Sequence, residues 1–207
     1  MINDQSIQQF LDELASKSAT PGGGSAAAIM GAMGAALVGM VCNLTVGKKN
    51  YEAVEDEMKA LLAQSESLRA RFTDMVRADV AAFDQVMGAY ALPKDTEEQK
   101  QARSEAIQEA LKAATDVPMQ CARACAEVIT LSKTAAEKGN KNVLSDAGVA
   151  VVAGYAALRS AALNVHVNTA VIKDADFAAS RLTELNEILA AMDGKNEVVY
   201  QFVKSKL

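Results

Sequence analysis

Asp79 is the residue that its surroundings explain least. Between Glu52 and Leu92 the apolar positions Val54, Met58, Leu61, Leu68, Phe72, Met75, Ala82 and Val86 recur at spacings of three, four or their sum, which marks one face of a long helix. Asp79 falls on that face between Met75 and Ala82, as Ser65 does between Leu61 and Leu68. A serine can bond back to its own helix, but a carboxylate on an inward face needs a partner, a shifted pKa or a task. Moving protons is a task that suits it.

Other polar residues gather where a helical protein should be apolar. Asn164 and Asn168 stand at i and i+4 and project from one helix face, while Asn140, Asn142 and Asp146 cluster in "NKNVLSD". Singly they read as interhelical hydrogen bonds, loop residues and a cap. The stretch "TPGGGSAAA", with Pro21, Gly22, Gly23, Gly24 and Ser25, opens an apolar run that carries no charge before Lys48 and Lys49. A glycine-rich turn opening a helix is a binding floor, a hinge or a plain loop. Taken together with Asp79, these residues point to a polar pocket between helices.

Several familiar chemistries fail. The residues before Lys48 do not form a phosphate loop, because Cys42 stands where the first glycine belongs and no Ser or Thr follows the lysine. His166 is the single histidine and lies between Val165 and Val167 with no ligand spacing or elbow serine, so it reads as structural. Cys42, Cys121 and Cys125 are odd in number and lack CxxC spacing, so they read as core thiols, with no disulfide framework or metal site expected. A net charge of −5 argues against a nucleic-acid partner.

The elements that must hold these residues are all helical. Half the residues are apolar but only 4% are aromatic, and proline occurs three times. Ser6 and Gln9 make a capping box for a short helix through Ile7, Phe10, Leu11 and Leu14. Ser25 is placed to cap a second helix reaching about Leu44, whose Ala27, Gly31, Ala35 and Gly39 leave one side bare for close packing. Its uncharged span is long enough to cross a bilayer, but its small residues indicate a buried central helix. Pro93 stops the third helix and "TEEQ" caps a fourth, with Pro118 as an internal kink and Gly139 as its end. Ser145 or Asp146 would cap a fifth helix reaching about Lys173, followed by two shorter ones from near Asp176 and Asn196. The expectation is one domain over residues 1–207, an all-α, mostly antiparallel up-and-down bundle with long helices. No export signal shows in "MINDQSIQQFLDELASK", so the protein is expected in the cytoplasm, away from membranes.

The segments "TPGGGSAAAIMGAMGAALVGMVCNLTVGKKNY", "ADVAAFDQVM", "LPKDTEEQ", "VPMQCA", "GNKNVLSDAGVA" and "NVHVN" occur in this order across nearly the whole chain. In this the sequence resembles the cyclodeaminase domain of formiminotransferase-cyclodeaminase and its stand-alone relatives, the methenyltetrahydrofolate cyclohydrolases. The last thirty or so residues match poorly, and the transferase half is absent. The resemblance implies a dimeric bundle that binds a tetrahydrofolate derivative, with one glutamate or several, with no tightly bound cofactor, and acts at its N5–N10 one-carbon bridge. It places Asp79 as the proton-transfer group, the glycine turn under the pterin, and Lys48 and Lys49 on the glutamate tail. Where relatives often carry a second aspartate, this chain has Arg77. The competing reading is a non-catalytic scaffold whose inward polar residues merely specify packing.

Overall fold

A computed structural model describes residues 5–207. Its seven described helices are α1 (Ile7–Leu14), α2 (Gly23–Asn43), α3 (Glu55–Tyr90), α4 (Glu97–Lys138), α5 (Leu144–Thr169), α6 (Ala175–Met192) and α7 (Lys195–Lys204). No strand occurs among the described residues. α2 packs on α3 and α5, α4 closes the other side against both, and α6 and α7 lie over α4 and α5. The principal core runs between α2, α3, α4 and α5, from Val38 and Phe72 to Met119, Ile129 and Leu158.

Both expected capping boxes form. The Ser6 and Thr96 hydroxyls accept from the backbone N–H groups of Gln9 and Gln99, whose side chains return the bond. α3 and α4 are 36 and 42 residues long against 21 for α2. At 1.5 Å per residue they measure about 54, 63 and 32 Å, so α3 and α4 overhang the bundle as an antiparallel arm. A smaller apolar cluster of Ala89, Ile107, Leu111 and Ile172 holds that arm together.

α2 is bare because neighbouring helices press onto its backbone. A Cβ at Gly31 would lie 2.6 Å from Cζ of the Phe72 ring, so no larger residue fits without moving α3. Both α2 and the segment Lys141–Thr169 are long and apolar enough to cross a membrane, yet about half of each is buried inside the bundle.

Two helix starts and one helix end differ from expectation. Gly22, in extended backbone, is the N-cap of α2, and Ser25 sits inside the first turn with its hydroxyl turned elsewhere. α5 begins at Leu144 after a 3-10 turn over Lys141–Val143, so neither Ser145 nor Asp146 caps it; Asn140 caps the turn, accepting from the Asn142 N–H at 3.0 Å. α5 ends at Thr169, short of Lys173, because Asp174 starts α6 by accepting from the Phe177 N–H. Pro118 lies within a continuous α4. Lacking an N–H, it leaves the Ala114 carbonyl without its helical donor, and Asn168 Nδ2 supplies one at 3.0 Å.

Candidate active site at the start of helix 2

The first turn of α2 lies against α3 at Asp79. Ser25 Oγ donates to Asp79 Oδ2 at 2.7 Å, and Ser25 is fully buried. A Cβ at Gly24 would fall 2.6 Å from Asp79 Cγ, so only glycine lets the carboxylate reach this position. Gly22 makes no side-chain cap bond, which leaves the first N–H groups of a 21-residue helix beside the carboxylate. The helix dipole there favours negative charge, on Asp79 or on an approaching oxygen.

Asp79 was expected on a buried stripe, but it is only half-buried. α2 starts opposite it, so α2 leaves that face of the next turn of α3 uncovered. The crevice behind it, among Gly24, Ala28, Met75, Pro118 and Cys121, holds about 10 Å³. That is room for one water at most, so a larger substrate must meet Asp79 from its exposed side. Cys121 lines the crevice, and its sulfur lies 4.0 Å from that of Cys125 behind it. The contact with Cys121, reinforced by burial, pushes the Cys125 thiol well up and keeps it protonated.

The residues singled out in the sequence divide between the two ends of α2. Pro21, Gly22, Gly23, Gly24, Ser25, Asp79, Asn164 and Asn168 gather at its start. Asn164 places its amide 3.8 Å from a Cβ built on Gly23 while bonding the Ser160 carbonyl of its own helix. Asn168 faces α4 and is engaged at Ala114. Lys48, Lys49, Asn140, Asn142 and Asp146 lie beyond the other end, about 32 Å away by helix length. There Asn140 is buried and ties two elements together: its backbone N–H bonds Thr45 Oγ1 and its Nδ2 bonds the Leu44 carbonyl, both at 2.9 Å. Arg77 is exposed and pairs with Asp74, away from Asp79. Among the described residues no cluster of His, Cys, Asp and Glu could hold a metal ion.

Fold and site together define an antiparallel helical bundle whose one carboxylate stands at the open start of a central helix. Residues 6–187 match the family model described as formiminotransferase-cyclodeaminase. The chain belongs to that family. It is 59% identical, over the full length of both chains, to a methenyltetrahydrofolate cyclohydrolase of Methylorubrum extorquens. It is 34% identical to a formimidoyltransferase-cyclodeaminase of Rattus norvegicus over 90% of this chain and 34% of that one. The crystal structure of formiminotetrahydrofolate cyclodeaminase from Thermotoga maritima superposes with a TM-score of 0.85 at 36% identity, covering 100% of this chain and 98% of that one.

Proposed function

We propose that this chain, as one domain over residues 1–207, is a folate one-carbon enzyme that hydrolyses methenyltetrahydrofolate to 10-formyltetrahydrofolate. The observation that carries this reading is the 59% identity to a methenyltetrahydrofolate cyclohydrolase over the whole of both chains, with Asp79 at an open helix start.

In this mechanism water attacks the methenyl carbon while the Asp79 carboxylate takes its proton, and Ser25 holds the second carboxylate oxygen. The tetrahedral carbon then expels N5, which receives that proton from Asp79, while the added hydroxyl releases its own proton to solvent and becomes the formyl carbonyl. The free N–H groups at Gly23 and Gly24 face negative charge that builds on the added oxygen.

Met33 and Met40 on α2 and Val149, Val152 and Leu163 on α5 are exposed, and this largely apolar face, with Arg159 at its margin, supports a homodimer. The reading also includes a cytoplasmic location, with the two long apolar helices serving as core helices.

The deciding experiment follows the methenyl chromophore. Loss of methenyltetrahydrofolate faster than in buffer is expected. Its formation from formiminotetrahydrofolate, with ammonia, would instead make the chain a cyclodeaminase, and inertness toward both would leave a scaffold.

A further inference from the structure

Past Asp79, α3 continues for eleven residues to Tyr90 without α2 beside it. Phe83 and Tyr90 follow Asp79 by four and eleven positions, which returns them to the helix face that carries the carboxylate, with Met87 at its margin. Where α2 is present this face is covered, as Phe72 is by Gly31. Beyond the start of α2, Phe83, Met87 and Tyr90 are 36%, 49% and 43% exposed. A cation closes the far end. The Arg103 guanidinium lies 5.5 Å from the centre of the Tyr90 ring, and its Nε and Nη2 donate to the Tyr90 carbonyl at 3.1 and 2.9 Å. Among the described residues the guanidinium bonds only the Tyr90 carbonyl, through Nε and Nη2, which leaves Nη1 to meet an anion.

We infer that this stretch of α3 is the bed for the aminobenzoyl-glutamate half of the substrate, with Phe83 under the ring, Tyr90 further along beneath the amide, and Arg103 pairing with a glutamate carboxylate. The inference rests on the proposed folate reaction. With the one-carbon bridge at Asp79, the aminobenzoyl ring begins about one turn further along, at Phe83. Eleven residues of helix advance about 16 Å, and a side chain of Arg length spans the few ångströms between that point and the end of an extended tail. The class of group recognised is a flat aromatic amide ending in carboxylates, which needs an apolar face and then a cation in that order. Lys48 and Lys49, at the far end of α2, cannot reach the tail of a folate held by Asp79 in the same chain.

The test compares methenyltetrahydrofolate with the corresponding pteroate, which lacks the glutamate. Arg103→Gln keeps a donor for the Tyr90 carbonyl and removes the charge. It is expected to raise KM for the glutamate-bearing substrate roughly tenfold, the scale of a lost charged hydrogen bond, with kcat and the pteroate KM unchanged. Arg103→Lys should restore most of the difference between the two substrates, and Phe83→Ala should raise KM for both. An Arg103→Gln effect that is equal on the two substrates, or absent, overturns the assignment. If the wild-type protein turns over neither compound, the proposed reaction fails separately. Equilibrium binding of the same two compounds must then show the same selective loss, and its absence overturns the bed.

Discussion

The Ser25 hydroxyl and the Asp79 carboxylate, 54 residues apart in the chain, meet at 2.7 Å where the first turn of α2 crosses α3. The serine fixes Oδ2, and the other oxygen, Oδ1, lies against the main chain at Gly24. Asp79→Asn keeps the shape and an oxygen acceptor for Ser25, so it should fold normally and lose roughly a hundredfold or more in kcat. Ser25→Ala should lose roughly tenfold, the scale of one hydrogen bond to a charged group. Steady-state turnover of methenyltetrahydrofolate checks both, and wild-type rates in Asp79→Asn would reduce that carboxylate to a packing residue.

Adjacent glycines should respond differently to the same change. Gly24→Ala drives a Cβ to within 2.6 Å of Asp79 Cγ, whereas Gly23→Ala meets only the Asn164 amide at 3.8 Å, an ordinary contact. Turnover should therefore collapse in Gly24→Ala and stay near wild type in Gly23→Ala. In an Asp79→Asn background the Gly24 effect on rate should largely vanish, since both changes act on one carboxylate.

Pro118 and Asn168 form a coupled pair through the Ala114 carbonyl. Asn168→Ala should cost about 1–2 kcal/mol in urea denaturation, the penalty for leaving a carbonyl unpaired. Pro118→Ala restores a helical N–H at that carbonyl, so the Asn168 penalty should shrink in its presence. Strict additivity of the two changes would show that the amide is not serving that carbonyl.

Burial raises the Cys42 thiol to about 11. An acid whose folded pKa lies above its unfolded value favours the fold while protonated in both states. That contribution is complete below the ordinary value of 9.0 and is lost as pH rises from there through 11. Thermal midpoints of the wild type should fall across that window, and those of Cys42→Ala should fall less steeply. Parallel pH profiles would exclude Cys42 as the cause.

The sequence made the helices legible because their signals are local: two capping boxes, a proline stop and one long apolar period. It also singled out Asp79, since a charge on that period is conspicuous without any knowledge of its neighbours. The role of Ser25 was not legible in the same way. Small polar residues near a helix start read as caps, and only the packing of α2 on α3 shows the hydroxyl pointing at a carboxylate. Asn168 answers a vacancy created by Pro118 on another helix, which no periodicity reports. Phe83 and Tyr90 were missed because apolar residues at helical spacing read as core or as nothing. Whether such a face is covered depends on how far the neighbouring helix extends, and here α2 stops short.

The glycine and alanine content of α2 also sets what it costs to order. Those residues surrender no rotamer freedom on burial, so at their positions the entropic cost of placing this helix lies in its main chain, where glycine makes it high. Such a segment has little reason to become helical alone and gains its order from the surfaces of α3, α4 and α5 around it. α2 is then the piece whose amide protons should exchange most readily whenever those three helices loosen, and the Asp79 carboxylate would lose its serine at the same moment.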